Sequence, residues 1–358
     1  MSLAVSLQSR GASGTIARTA QVVSRFGATT SAMARRLDRY ESLASAHGVR
    51  PTWPTTACVL ERHPELLRRY AERGVELAVH GLVHGDHAAL DHARQRGTIA
   101  RALELFERSG LEAASAVPEV PSILPLPLLD GPGDPAARIE ALCASIHRLA
   151  PFRPAGIVCL TGSSLGRDRD EARATVVDGL RTLAAEAKLA GVQVALEPYQ
   201  ADGGEEWTIA TSISEAVALI DEAGGDPSLG LQFDVWHLWN TPSVLDDIRL
   251  EAQRFAGVHV SDVRRPTRGW ADRVLPGDGG ADVPGLLGAL EASGWQGLYD
   301  LEIFSDNGTF GSSYPDSLWD VPADELARRG HAALTAAWTG RRQLAASGRL
   351  QRTREEAE

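Results

Sequence analysis

The sequence predicts an α/β protein of the (β/α)8 class, a TIM barrel with an N-terminal helical extension. Two observations support this. From residue 50 onward, short apolar runs alternate with longer amphipathic segments, a pattern that favours parallel strands joined by helical crossovers. Each kind of segment occurs eight times, and eight strand-helix pairs are the number that closes such a barrel.

The predicted strands are short runs rich in apolar residues, as expected for strands that a parallel sheet buries on both faces. They are VRPTWPTTA (49–57), VELAVHGL (75–82), LEAASAV (111–117), GIVCLTG (156–162), VQVALEPY (192–199), LGLQFDVWH (229–237), GVHVSDV (257–263) and LYDLEIFS (298–305). Two strands precede residue 111 and six follow it. Neither set closes a barrel alone, and an open parallel sheet would expose apolar faces and edges. We therefore predict one barrel over residues 49–340.

The predicted helices lie between these strands, and several end in glycine, which often follows the last helical turn. They are ERHPELLRRYAERG (61–74), DHARQRGTIARALELFERSG (91–110), DPAARIEALCASIHRLA (134–150), DRDEARATVVDGLRTLAAEAKLAG (168–191), SISEAVALIDEAGG (212–225), SVLDDIRLEAQRFA (243–256), VPGLLGALEASG (283–294) and ADELARRGHAALTAAW (323–338). Residues 1–48 form an extension with one predicted helix around residues 30–48. Residues 341–358 form a charged tail.

Composition narrows the class of partner. The net charge of −11 over 358 residues excludes nucleic acid, because phosphate binding needs a concentrated basic surface. Nowhere do about 18 apolar residues run together, so no membrane partner is expected. Three widely spaced cysteines, Cys58, Cys143 and Cys159, indicate free thiols and a cytoplasmic protein. We expect a small polar substrate, and a homo-oligomer stays open.

Four ligand-type residues lie near the carboxyl ends of the last four strands, where barrel enzymes carry their active sites. They are Glu197, Asp234, His259 and Glu302. A buried carboxylate is costly unless it is paired or binds a metal. Three carboxylates and an imidazole suit one divalent metal, with Mn²⁺ favoured and Mg²⁺, Co²⁺ or Zn²⁺ as alternatives. The competing interpretation makes each one a separate ion-paired core group.

His237 lies three residues after Asp234, and we expect it just past the strand end, facing the same cavity. There it could bind a substrate hydroxyl or a second metal. The alternative is a histidine that only caps or packs.

Five segments, LEPY, QFDVWH, GVHVSD, ADRVLPGDG and DLEIFSDNG, resemble the sugar phosphate isomerase/epimerase group of xylose-isomerase-like TIM barrels, over about 111–340. The resemblance implies that Glu197, Asp234, His259 and Glu302 hold a divalent metal. It implies that Glu197 and Glu302 also exchange protons with a substrate carbon. His237 and an arginine, Arg265 or Arg273, would hold oxygens of a carbohydrate-like substrate.

The chemistry of such a site follows from general principles. Removing a proton from the carbon next to a carbonyl builds negative charge on oxygen, and a dication stabilises the resulting enediolate. Carboxylates on its two faces can remove the proton and return it elsewhere. Isomerisation, epimerisation and dehydration share this first step, and the sequence leaves the choice open.

Residues 25–110, which include HGLVHGDH (80–87), resemble a polysaccharide deacetylase fragment. The resemblance implies metal binding by His80 and His84, but the aspartate pair that deacetylases also need is missing. We instead predict that His80, closing the second strand, faces the barrel mouth and contacts substrate. A deacetylase-like hydrolase and a non-catalytic sugar-binding barrel remain the alternatives. A three-zinc DNA-repair endonuclease is excluded, because Val274 replaces one of its histidine ligands and the net charge is wrong for DNA.

Overall fold

In the computed structural model, the described residues are 30–46, 52–55, 57–73, 75–79, 92–109, 113, 115–127, 129, 131–164, 166–199, 207–308 and 311–355. The chain divides into two compact units. The first is Met1–Ala113 with Pro322–Arg328, and the second is Ala114–Val321 with Arg329–Glu358.

The described residues of the first unit include two strands and four helices that lie wholly within it. In chain order they are α1 (Thr30–Ala46), β1 (Thr52–Thr55), α2 (Ala57–Arg62), α3 (Pro64–Glu72), β2 (Glu76–Val79) and α4 (His92–Ser109). The strands pair in parallel, with Thr52 opposite Glu76. Both predicted strands of this region are therefore present. The predicted helix 61–74 is divided at His63, because the proline that follows disfavours helical backbone in the residue before it.

The helix of the N-terminal extension packs inside this unit. Tyr70 of α3 is fully buried, and its hydroxyl lies 2.8 Å from Asp38 Oδ1 and 3.0 Å from the Ala34 carbonyl oxygen. Leu37 and Tyr40 of α1 pack against the same small core. The extension is thus held to α3 by both apolar and polar contacts.

The second unit is built on a six-stranded parallel sheet. Its strands are β3 (Ser115–Ala116), β4 (Gly156–Cys159), β5 (Val194–Leu196), β6 (Leu229–Asp234), β7 (Phe255–Val260) and β10 (Tyr299–Leu301). Between β7 and β10 in the chain, β8 (Asp262–Val263) and β9 (Arg273–Val274) form a separate antiparallel ribbon. The order across the sheet is β10-β7-β6-β5-β4-β3. All six predicted strands after residue 111 are present, and consecutive strands are neighbours.

Helices connect these strands. They are α5 (Pro135–Leu149), α6 (Arg169–Ala190), α7 (Ile213–Glu222), α8 (Val235–Leu238), α9 (Val244–Glu251) and α10 (Val283–Ala292), and the last helix of the chain is α11 (Ala323–Glu355). Side chains of Asp134, Asp168, Ser212 and Asp282 accept backbone amides at the helix starts, as N-cap residues do. The predicted charged tail is helical through Glu355.

The core lies between the sheet and its helices. All six residues of β6 are buried, which explains its nearly continuous apolar sequence. Leu231 of β6 joins Leu180 of α6, Ile220 of α7 and Leu287 of α10 in one apolar cluster. This packing fixes the strand ends, where the polar residues lie. None of the helices described is long and apolar enough to cross a membrane.

Two predicted strand boundaries are wrong in an informative way. The strand predicted over 229–237 ends at Asp234, because the carboxylate of Asp234 accepts the Trp236 amide (2.8 Å) and starts helix α8. The strand predicted over 257–263 is interrupted after Val260, and Asp262–Val263 pairs with Arg273–Val274 instead. The ribbon of β8 and β9 was not predicted.

Candidate metal centre

The four predicted ligands lie together at the carboxyl ends of neighbouring strands. Asp234 ends β6 and His259 is the penultimate residue of β7. Glu197 and Glu302 follow the last residues of β5 and β10. In the sheet order, β6 and β7 lie between β5 and β10, so the two glutamates come from opposite sides of the pair Asp234 and His259.

The distances confirm that these side chains form one cluster. One ligand atom each from Glu197, Asp234 and His259 lies within 4.8 Å of the others. Nδ1 of His259 is 3.8 Å from Glu197 Oε1 and 3.3 Å from Glu302 Oε2. Glu302 therefore reaches the same imidazole. Three carboxylates and one imidazole converge, as the strand-end positions predicted.

Arg273 joins the cluster from strand β9. Its Nη1 donates to Asp234 Oδ2 (2.8 Å) and to Glu302 Oε2 (2.9 Å). Its guanidinium carbon is 5.2 Å from the centre of the Trp236 ring and 4.9 Å from that of Phe304. Burial lowers the pKa of Arg273, but Asp234 and Glu302 outweigh it and the net shift is upward. Arg273 is a permanent cation between two aromatic rings.

The carboxylates differ in their ionisation. Burial raises the pKa of Glu197 to about 8, and burial also raises that of Glu302. Burial raises the pKa of Asp234 as well, but the charge of Arg273 and the neighbouring histidines outweigh it, and the value falls to about 2. Asp234 is therefore much the more acidic of these two buried carboxyl groups.

His237 lies in α8, one helical turn after Asp234. Its Nε2 is 3.4 Å from Asp234 Oδ2 and 3.4 Å from Arg273 Nη2. Burial lowers the pKa of His237 to about 3, so the ring is neutral. Within the described part of the chain, Nδ1 of His237 has no hydrogen-bond partner. A neutral, buried imidazole with a free nitrogen can bind a substrate oxygen.

Tyr199 was missed by the sequence reasoning. Its hydroxyl donates to Glu197 Oε2 (3.3 Å), and its ring centre is 3.6 Å from that of His237. A signal was present, since alternate residues of an extended segment share a face and Tyr199 follows Glu197 by two. Phe304, which contacts Arg273, carried no comparable signal.

The residues present fit a divalent metal. Burial lowers the pKa of His259, but Glu302 and Glu197 outweigh burial and shift it upward, so the cluster attracts positive charge. Nδ1 of His259 makes no hydrogen bond of good geometry to any residue that the structure describes. Three carboxylates and the single charge of Arg273 leave a charge of −2 when all are ionised, which one dication neutralises. Oxygen-rich sets with one imidazole suit such ions.

The remaining predicted site residues differ in their relation to the cluster. Arg273 lies in the cluster, whereas Arg265 is exposed and its guanidinium carbon is 4.9 Å from the Trp239 ring centre. Of the two candidate arginines, Arg273 is the one in contact with the carboxylates. His80 and His84, with the rest of HGLVHGDH, lie outside the described residues.

Comparisons with known proteins bear on the fold and the family. A model of the family described as xylose isomerase-like TIM barrel matches residues 49–337. An inosose isomerase of Halalkalibacterium halodurans is 28% identical over 140 residues, which are 38% of this chain and 48% of that protein. The match therefore spans about half the length of this curated relative.

Solved structures agree on the architecture. An L-ribulose 3-epimerase aligns with a TM-score of 0.56 at 20% identity, over 83% of this chain and 97% of its own. The IolI protein with a bound zinc atom aligns with a TM-score of 0.56 at 14% identity, over 81% of this chain and 98% of its own. At such identities the likeness shows the fold alone, which is a TIM barrel.

Proposed function

Because this chain belongs to the xylose isomerase-like TIM barrel family, we propose that it is a divalent-metal-dependent isomerase or epimerase of a small sugar, polyol or keto-acid. The main observation is the convergence of the cluster Glu197, Asp234, His259 and Glu302 with Arg273. The inosose isomerase relative and the L-ribulose 3-epimerase neighbour support a sugar or polyol substrate.

Glu197, Asp234, His259 and Glu302 would hold one dication. We favour Mn²⁺, with Mg²⁺, Co²⁺ and Zn²⁺ as alternatives, and the zinc bound to the IolI neighbour supports a divalent ion at this kind of site. When bound, the ion would stabilise negative charge that develops on a substrate carbonyl oxygen. Asp234 is hydrogen-bonded through both oxygens, which fixes the orientation of its carboxylate.

The two glutamates carry the proton transfers. One carboxylate removes the proton from the carbon next to the carbonyl, giving an enediolate, and the other returns a proton to the second carbon or the second face. In the sheet, β6 and β7 separate β5 from β10. Glutamates at the ends of β5 and β10 could therefore transfer protons on opposite faces of a substrate.

Arg273 and His237 would hold substrate oxygens. Arg273 already contacts Asp234 and Glu302, so an oxygen that it binds would lie next to the metal ligands. The neutral ring of His237 offers a nitrogen with no partner among the described residues. Trp236 is buried, and its ring lies against Arg273 and His237.

The location and the assembly remain predictions. Within the described part of the chain, Cys143 and Cys159 are free thiols, which supports a reducing, cytoplasmic location. The substrate is expected to be a small molecule and not nucleic acid, on the net charge of −11. A homo-oligomer is compatible with these features.

The test is a substrate screen in D₂O with the Mn²⁺-loaded protein. L-ribulose, D-tagatose, inososes and 3-keto-D-glucosides are incubated and followed by NMR. We expect isomer or epimer formation with deuterium at the carbon next to the carbonyl, and no such exchange with Glu302→Gln. Acetate release from an acetylated polysaccharide without carbon-bound deuterium would favour the deacetylase alternative. Tight sugar binding without exchange would favour the non-catalytic barrel.

A further inference from the structure

Asp262 is a buried carboxylate that contacts the backbone of a loop rather than the metal ligands. Its side chain lies in β8, three residues after His259. Oδ1 accepts the amides of Val263 (2.7 Å) and Ala281 (2.9 Å), and Oδ2 accepts those of Gly277 (2.9 Å) and Gly279 (3.2 Å). Hydrogen bonds to an ionised acceptor are stronger than neutral ones. We call this arrangement the Asp262 clamp.

The clamp closes the ribbon that carries Arg273. In this ribbon Val263 pairs with Arg273, and Asp262 pairs with Val274. The loop held by Asp262 begins directly after Val274 and returns to the ribbon, where the Gly280 amide donates to the Val263 carbonyl (2.9 Å). Two-residue strands have little stability of their own. The Arg273 backbone is held from one side by this ribbon and its clamp, and from the other by its own amide, which donates to the Phe304 carbonyl (3.0 Å).

The loop sequence PGDGG (276–280) fits the clamp. A Cβ atom on Gly279 would lie 2.3 Å from Asp262 Oδ1 and 2.6 Å from the Val263 carbonyl oxygen. Any larger residue at this position would push the loop away from Asp262. The glycine and the aspartate thus form the two sides of one contact.

We propose that Asp262 is a positioning residue, which fixes Arg273 against Asp234 and Glu302 without touching the substrate. The proposal rests on the proposed function in one respect, because Arg273 is taken to hold a substrate oxygen. It assigns a role to the aspartate of GVHVSD and to the glycines of PGDGG, which the metal cluster leaves unexplained.

Two variants open the clamp from opposite sides. Asp262→Asn keeps the shape but replaces one oxygen with an NH₂ group, which faces two amide donors and loses their hydrogen bonds. Gly279→Ala leaves Asp262 and Arg273 intact and displaces the loop. The matched control is Asp282→Ala, which removes the exposed cap of α10 at the Gly285 amide. This control lowers stability next to the same loop but leaves the clamp in place.

The first readout is amide hydrogen exchange, which needs no substrate. We expect the segment 273–281 to exchange faster in Asp262→Asn and Gly279→Ala, and at the wild-type rate in Asp282→Ala. Unchanged exchange of 273–281 in Asp262→Asn would overturn the proposal. This readout is independent of whether the enzyme acts on sugars, so a failure of the proposed function is seen separately.

The second readout is the coupling between Asp262 and Arg273. We expect Asp262→Asn to lower kcat/KM by about tenfold to a hundredfold, the range that a displacement near 1 Å can cause. In an Arg273→Met background the same change should add almost nothing, because the group that it positions is gone. If Asp262→Asn lowered kcat/KM by the same factor in the wild type and in the Arg273→Met background, Asp262 would be only structural and the proposal would be overturned. If no sugar is turned over, the Mn²⁺ affinities of the wild type, the two single variants and the double variant are compared instead.

Discussion

The guanidinium of Arg273 and the carboxylate of Asp234 form a buried ion pair, with 2.8 Å between Nη1 and Oδ2 and side chains that are 5% and 0% exposed. Breaking such a pair on one side leaves a buried charge without its partner, which is strongly destabilising. The pair also keeps the pKa of Asp234 low and holds its carboxylate in the cluster. The proposed metal site and the arginine proposed to hold a substrate oxygen are therefore one structural unit.

The metal ligands can be tested one at a time. We expect His259→Ala to abolish Mn²⁺ binding and leave the fold largely intact, because it removes a donor from the cluster. Asp234→Ala should also abolish binding, but it leaves Arg273 buried without this partner, so we expect a lower melting temperature as well. Titration calorimetry or electron paramagnetic resonance gives the stoichiometry. Asp246→Asn is the control, since this aspartate is 78% exposed on α9. A double variant of Asp234 and His259 that still binds one Mn²⁺ with wild-type affinity would show that the ligands are elsewhere.

Mn²⁺ affinity should depend on pH through Glu197. Burial raises its pKa to about 8, and a carboxyl group must lose its proton to coordinate, so binding below pH 8 releases a proton. Affinity should therefore rise between pH 6 and pH 8, by up to about tenfold per unit for one proton, and level off above. Glu197→Gln should make this dependence less steep and leave the part due to His259, whose pKa is also shifted upward. An affinity that is constant from pH 6 to pH 8 in the wild type would contradict the assignment.

The proton carriers should affect turnover more than substrate binding. Gln at position 197 or 302 should lower kcat by about 10²–10⁴-fold, the usual contribution of a placed acid or base, with loss of a metal ligand in addition. KM should change much less. Deuterium wash-in from D₂O is the direct measurement. Wash-in at the wild-type rate in Glu302→Gln would remove this residue from the mechanism.

The single barrel predicted over 49–340 can be tested by dividing the chain. The family match extends over 49–337, so a break at residue 110 cuts through it. We expect the separate fragments 1–110 and 111–358 to be insoluble or molten, because each would expose unfinished sheet edges. Circular dichroism melts and dye binding report this. Two fragments that each unfold cooperatively would instead establish two domains.

The sequence predicted the sheet and the proximity of the four ligand-type residues for one physical reason. Strands buried on both faces need nearly continuous apolar residues, so Glu197 and Asp234 were conspicuous as the polar ends of apolar runs. The strand order then followed from the alternation of strands and helices. The convergence of these four side chains could be predicted from the strand ends alone, without the loop conformations.

The loops could not be predicted in the same way. A ribbon of two-residue strands has no periodicity that a sequence can reveal, so β8 and β9 were missed. The choice between Arg265 and Arg273 depends on that ribbon, because pairing with Val263 places Arg273 next to the carboxylates. Strand β6 was predicted too long for a similar reason, since VWH is as apolar as the strand before it. Only the bond from the Trp236 amide to Asp234 ends the strand there.

The two bonds of Asp234 limit how this site can be redesigned. One oxygen starts helix α8 and the other contacts Arg273, so lengthening the side chain by one methylene group would disturb both and displace His237 with the helix. An engineer who wishes to change substrate preference has more freedom at Phe304, which is 39% exposed and lies against the Arg273 guanidinium. Diversity libraries are best directed to that position, with α8 kept constant.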